Sequence, residues 1–326
     1  MAKYDMNRNF AVGSDISWYP QMLETGFVFK NRDGKVQDLL TTLKEYNHNA
    51  IRLRTWVNPS DDRQSGHCSA AETMAFAKEC SERGFRIMLN FHYGDSWCDP
   101  GHQRKPKAWA GLSVDALIKT LFDYTYETVK LLADNGVTPE WIQIGNETNP
   151  GMLHPEGSYE NFGDLARLYK AGYEAMKAAS PRSKVMIHLA EFNYTDFIIE
   201  YFDKLDASGC LYDIMGFSFY PWHLARQKKM NYDEALAGWR RSMKELPARY
   251  GKEFQIVEIG GVDEEEDESY KLMTDAIESI HGEPLCTGLF WWEPEGARAW
   301  SKYPLSAWRA DGTPTKAMDA FNLIGY

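Results

Sequence analysis

Apolar runs of strand length alternate with amphipathic stretches of helical period along the whole chain. Eight runs are rich in β-branched, aromatic and aliphatic residues and finish in polar or aromatic ones: FAVGSDIS (10–17), AIRLRTW (50–56), RIMLNFHY (86–93), EWIQIGNE (140–147), KVMIHLAE (184–191), DIMGFSFY (213–220), EFQIVEIG (253–260) and GLFWWEP (288–294). Between them the pattern shifts to a 3.6-residue period, which predicts helices over 33–47, 69–84, 114–136, 162–180, 197–209, 233–251 and 268–282. A short last helix is predicted over 314–325. Gly84, Gly136, Gly209, Gly251 and Gly282 stand where five of these stretches stop, and each is expected in the left-handed turn that ends a helix. Strand and helix in strict alternation predict an α/β protein, a single (β/α)8 TIM barrel. No Pro/Ser/Gly-rich linker or low-complexity stretch divides the chain, so residues 1–326 are read as one catalytic domain.

In such a barrel, functional groups sit where strands finish. Here the finishes are Asp15, Arg54 with Trp56, His92 with Tyr93, Asn146-Glu147, Tyr220, Glu258, and Trp292 with Glu293. A barrel selected for stability alone has no use for charge and indole at nearly every strand end. The longest excursions, 57–68, 94–112 and 148–161, follow strands two, three and four and belong to the same face.

Composition narrows the partner. The net charge is −11 and no Lys/Arg cluster stands out, which excludes nucleic acid and disfavours polyanionic glycans. Aromatic residues make up 14% of the chain, with 11 Trp and 18 Tyr, which favours a sugar cleft where pyranose C–H faces stack on indoles. The five cysteines (Cys68, Cys80, Cys98, Cys210, Cys286) show neither CxxC nor metal spacing. An odd count argues against a fully paired disulfide framework, so reduced structural thiols are expected, with Cys98 the one closest to the cleft motifs. No apolar stretch is long enough to span a membrane. The start MAKYDMNRNF lacks a signal-peptide core; the expectation is a secreted or cell-envelope protein whose leader is not part of this sequence, with a cytoplasmic address as the alternative.

Two carboxylates carry the chemistry. Glu147 follows WIQIGN and Glu258 follows EFQIV, so each leaves an apolar run for a partly desolvated pocket. Cleaving a glycosidic bond needs one carboxyl protonated, to help the leaving oxygen, and another ionised, to attack the anomeric carbon. Burial raises one pKa, and a neighbouring cation such as Arg54 is expected to hold the other group ionised. Strands four and seven are near-opposite staves, and carboxyl groups about 5–5.5 Å apart, the retaining separation, are predicted. A lone strand-end glutamate is as readily an ion pair or a loop cap; the pair within this constellation reads as catalytic.

His92 is assigned to a sugar hydroxyl or to orienting a carboxylate rather than to the core. Trp97 and Trp109, in the long loop after strand three, are assigned to a cleft wall rather than to packing that loop down. His188 and Glu191 are separated by an odd offset, which argues against a metal pair. The acidic run DEEEDE (263–268) lacks calcium-loop spacing and is read as a solvated helix start. No G-x-S-x-G, P-loop, G-x-G-x-x-G or H-E-x-x-H is found, so esterase, nucleotide and metalloprotease readings have no support.

The segments SDIS, AIRLRTWVNP, LNFHYGDSWCDPGHQRKPKAW, QIGNETNPGMLHPEG and VEIG, in this order, resemble glycoside hydrolase family 53, the arabinogalactan endo-β-1,4-galactanases. The likeness runs from about residue 10 to the end of the sequence. It implies a retaining barrel with Glu147 as acid/base and Glu258 as nucleophile. It also implies that Asp15, Arg54, His92, Asn146, Tyr220 and Trp292 line the subsite at the cut, with Asn146 on the sugar's 2-hydroxyl and Tyr220 touching the nucleophile. The implied substrate is β-1,4-galactan, the side chain of type I arabinogalactan and pectin. Four positions depart from the family's pattern: Asn90 replaces an Asp, Gly94 a Ser and His154 a Trp, and the Tyr usual after the nucleophile is missing. The His154 change implies a lost stacking platform. Some bacterial relatives carry calcium between the last two βα loops; that ligand pattern is not visible here, and neither metal nor cofactor is expected. The reading is therefore an endo-acting galactanase, a monomer on a polysaccharide substrate. Another retaining β-glycanase of the same clan (on glucan, mannan or modified galactan) and a non-catalytic glycan-binding barrel are the alternatives.

Overall fold

The computed structural model describes residues 2–325. All eight expected runs are strands: β1 Ala11–Asp15, β2 Ala50–Thr55, β3 Arg86–Phe91, β4 Trp141–Ile144, β5 Lys184–Leu189, β6 Ile214–Phe219, β7 Glu253–Ile259 and β8 Cys286–Trp292. They are ordered in the sheet as in the sequence and close into a parallel barrel. Nearly every strand residue is buried, which explains why these runs read as continuous apolar stretches rather than as alternation.

The helices that follow are α1 Leu39–Glu45, α2 Ala70–Glu82, α3 Val114–Asp134, α4 Phe162–Ala179, α5 Thr195–Ala207, α6 Tyr232–Tyr250 and α7 Glu266–His281. Local chemistry sets their starts. Ser69 and Glu72 form a reciprocal capping box on α2, and Asn231 and Glu234 form one on α6, each worth about 1 kcal/mol. The acidic run opens α7 as expected, with Glu266, Asp267 and Glu268 in the first turn.

Three expectations are corrected. The first expected helix begins at Leu39, capped by Asp38, rather than at 33, because Asn31 accepts N–H groups from Asp33 and Lys35 and Gly34 turns left-handed, spending those residues on a loop. The last helix is a 3₁₀ turn over Lys316–Leu323. Gly282 has φ −85°, so α7 ends without the left-handed stop and Glu283 donates to the Ile280 carbonyl instead; Gly84, Gly136, Gly209 and Gly251 do turn left-handed. Three short helices had no sequence signal: Tyr19–Glu24, Pro221–Arg226 and Arg298–Ser301.

Contacts gather the chain into two compact units. One comprises the residues up to Arg52, Glu191–Thr195 and the chain from Ser218 onward; the other comprises Leu53–Ala190 and Asp196–Phe217. In the first, Asp15 stands level with Arg52 on one side and Trp292 on the other. There the β7–β8 register shifts between Ile256 and Ile259, so Glu258 lies on an irregular stretch of ladder. In the second unit Asn90 is level with Gln143, and Gln143 with Met186.

Candidate active site

The first unit carries the Glu258 cluster. Arg52 and Asp15 are wholly out of water, and Glu258 keeps about 5% exposure. The Arg52 guanidinium spans both acids, with Nη1 3.0 Å from Asp15 Oδ2 and Nη2 2.8 Å from Glu258 Oε1. The Tyr220 hydroxyl donates to the other oxygen, Glu258 Oε2, at 3.1 Å. The second oxygen of Asp15 accepts from the Ser17 hydroxyl at 2.6 Å and the Ser17 N–H at 3.2 Å. Burial pushes the Glu258 carboxyl above its ordinary value, while Arg52 pulls it back, Asp15 pushes it further up and the Tyr220 hydroxyl opposes. Trp292 is half-buried at the end of β8, its ring edge-on to Trp18 (5.4 Å between centroids) and Tyr303 (4.8 Å).

The second unit carries the Glu147 cluster. After β4 the chain turns through Gly145, whose φ of +76° favours glycine, and whose missing Cβ would lie 2.5 Å from Thr148 Cγ2. Glu147 itself has φ +47°, a strained conformation of the kind that collects at functional sites. The turn is held from three sides. The Glu147 N–H donates to His188 Nδ1 at 3.2 Å, which also accepts from Gln143 Nε2 at 2.7 Å. Gln103 Nε2 donates to the Asn146 carbonyl at 2.8 Å and reaches the Glu147 carbonyl at 3.3 Å. Asn146 Oδ1 accepts from Asn90 Nδ2 at 3.0 Å, and its Nδ2 donates to the Cys98 carbonyl at 2.8 Å. The Cys98 N–H donates to His92 Nδ1 at 3.0 Å, which leaves the ring proton of a neutral His92 on Nε2. Half-buried Trp97 packs edge-on to Trp56 at 4.9 Å, and the Arg54 guanidinium lies 4.4 Å from its centroid.

A family model described as Glycosyl hydrolase family 53 matches residues 11–281. The chain belongs to glycosyl hydrolase family 53. Among relatives of this family 53 hydrolase, it is similar to an uncharacterized protein in the bgaB 5' region of Niallia circulans (35% identical, over 76% of this chain and 67% of that one). It is also similar to arabinogalactan endo-beta-1,4-galactanase A of Emericella nidulans (32%, over 76% and 69%). Among solved structures it resembles the Ignisphaera aggregans GH53 catalytic domain with TM-score 0.88 at 28% identity, covering 98% of this chain and 97% of that one. A fungal beta-1,4-galactanase structure follows at TM-score 0.84 and 26% identity, over 95% and 98%. The chain is therefore a glycosidase.

Several sequence expectations for this family 53 hydrolase need correcting. The cation beside Glu258 is Arg52, not Arg54; Arg54 lies over the Trp56 and Trp97 rings instead. Asp15, expected at the subsite of the cut, is wholly buried and paired to Arg52. Trp109 is 5% exposed and sets its ring against Tyr124, so it packs the loop down, and the half-buried Trp97 is the more open indole of that loop. Cys98 is buried, and burial pushes its thiol up to about 12, which makes it inert. Its sulfur also explains Gly94, where an added Cβ would fall 2.8 Å away. His154, in place of the family's Trp, donates to the Pro150 carbonyl at 2.9 Å, a loop pin rather than a stacking surface. Arg52, Gln103 and Trp18 were not singled out by their sequence, and His188 was weighed only as a metal ligand.

Arg52→Met is expected to leave two buried carboxylates without a cation and to cost about 3–5 kcal/mol in denaturant unfolding at neutral pH. The deficit should shrink as pH falls, because Glu258, whose carboxyl burial already raises, takes up its proton and ceases to be a buried charge. A deficit that stays constant from pH 7 to pH 4 would show that the lost stability is not electrostatic.

Proposed function

We propose that the chain is one catalytic domain that cleaves β-1,4-galactosidic linkages inside galactan or type I arabinogalactan, with retention. The carrying observation is Glu258: a strand-end carboxylate almost out of water, with one oxygen on Arg52 and the other on Tyr220. A solvated ion pair needs no such enclosure, and a nucleophile does. In this reading Glu147 protonates the glycosidic oxygen as its bond to the anomeric carbon breaks, and Glu258 forms an ester to that carbon from the opposite face. Water then attacks as Glu147 takes its proton, the ester breaks, and the sugar leaves with its original configuration. Asn146 serves the 2-hydroxyl, His92 donates through Nε2, Trp97 and Trp292 stack on sugar faces, and Arg54 fixes Trp97. The enzyme acts as a monomer at or outside the cell envelope, with no cofactor. Among the described residues, no helix is long and apolar enough to cross a membrane.

The substrate test is a panel of potato galactan, cellulose, xylan and mannan, with new reducing ends measured. Galactan alone should respond; turnover confined to a glucan or mannan would move the chain to another specificity, and turnover of none would favour a binding barrel. The pH profile tests the nucleophile. Glu258 must be ionised to attack, and burial raises its carboxyl, so the acid limb of kcat/KM should lie above the ordinary 4.5. The sign for stability runs the other way. A carboxyl that holds its proton more tightly when folded stabilises the native state most below pH 4.5, and that contribution fades as pH rises through the native value. An acid limb below 4.5 would contradict the assignment.

A further inference from the structure

The reaction just described gives no role to two wholly buried acids just past β8, Glu293 and Glu295. Glu295 lies in the run WWEPEG just past β8, in the same unit as Glu258, and both it and Glu293 have no exposure at all. After burial, the neighbouring Glu293 side chain is what most raises the Glu295 carboxyl, and both Glu295 oxygens are shut away from water. Two carboxylates out of water that act on each other are not both ionised, so one of the pair holds the proton. The surroundings decide which. Glu293 Oε2 accepts the backbone N–H of Trp18 at 3.2 Å, a bond that favours its anion. Among the described residues, no N–H or hydroxyl of another residue reaches either oxygen of Glu295, and its own backbone N–H, which favours the anion, counts for less than burial or Glu293.

The nearby charges point the same way. Glu293 and then Asp15 act on Glu295, and both are acidic. Arg52 is committed to Asp15 and Glu258. Arg298, three residues on, is committed to Asp263 and Glu264, and Lys302 reaches the Ala299 carbonyl. Burial first, then Glu293 and Asp15, hold the Glu295 carboxyl undissociated well above the ordinary range.

What the pair holds is a wall of the site. The Glu293 N–H donates to the Asp15 carbonyl at 2.9 Å, and φ of +48° at Glu293 turns the chain back sharply. Its carboxylate fixes Trp18, whose ring stands edge-on to both Trp292 and Trp300, at 5.4 and 6.0 Å. We propose that Glu295 is a positioning residue: its carboxyl donates to the Glu293 carboxylate, which anchors Trp18 and so sets the Trp292 indole against which substrate stacks.

The test compares Glu295→Gln and Glu295→Ala with the parent enzyme. An amide keeps the donor and cannot ionise. The native parent enzyme holds one proton that its unfolded chain releases above the ordinary carboxylate range, so this group lowers Tm as pH rises from 5 to 9. Glu295→Gln should flatten that fall, its Tm gaining on the parent's with every unit of pH. In kinetics on an aryl β-galactobioside, Glu295→Ala should raise KM about tenfold with a smaller change in kcat, since stacking and not chemistry is lost. Glu295→Gln should bring KM back to within about threefold. A Tm–pH curve for Glu295→Gln parallel to the parent's, or a KM as poor as that of Glu295→Ala, overturns the proposal. Should Glu295→Ala not fold, the slope of the Gln variant alone decides. The kinetic arm rests on the galactanase reading and the melting arm does not, so failure of the substrate assignment and failure of this proposal are separable.

Discussion

Glu258→Ala is expected to lose turnover of galactan by on the order of 10⁴-fold or more, with substrate binding retained. The fold should tolerate it, because the change removes one buried charge and leaves Arg52 paired to Asp15 at 3.0 Å. Added azide should then restore turnover of a 2,4-dinitrophenyl β-galactobioside. Azide enters from the face the carboxylate vacated, its nitrogen bonds the anomeric carbon as the aryl oxygen departs, and the product is the α-azide. Full activity in Glu258→Ala, or a β-azide from it, would remove Glu258 from the nucleophile's role.

Glu147→Ala should separate the two half-reactions. Galactan, whose leaving group needs a proton, should lose about 10²–10⁴-fold in rate, the usual worth of general acid–base catalysis. The dinitrophenyl substrate needs no such help to depart, so the glycosyl ester should form in a burst and then hydrolyse slowly. Azide needs no general base and should accelerate that second step, giving the β-azide by two inversions. The opposite anomer from each variant assigns the roles independently of any distance between the carboxyls. Equal losses on galactan and on the activated substrate would exclude Glu147 as the acid.

The barrel was legible because strand burial leaves a simple trace: eight apolar runs, each closed by a polar or aromatic finish, separated by helical periodicity. The two glutamates were legible for the same reason, as charged residues directly after buried strands. The identity of the cation was not. Arg52 and Arg54 sit two apart on β2 and point to the same side, so alternation cannot tell which of them lies level with Asp15. That requires the register of β1 on β2, which no short-range pattern encodes. His188 was set aside for its odd offset from Glu191, yet its ring nitrogen receives the Glu147 N–H, a backbone contact invisible to side-chain spacing. Trp109 shows the converse limit. A tryptophan in a long loop reads as a cleft wall until the helix beneath supplies Tyr124 to cover it. Glu293 and Glu295 were in plain view, but a pair of acids at i and i+2 normally points into solvent, and only the reversal at Glu293 folds both inward.

All five cysteines are free and buried. Maturation of this protein therefore asks nothing of an oxidase or a disulfide isomerase, and its melting temperature should be the same with and without a reducing agent. The thiols of Cys80, Cys98 and Cys286, each pushed upward by burial, are poor targets for peroxide as well as for alkylation. A bacterial cytosol and a culture supernatant should accordingly yield the same active molecule.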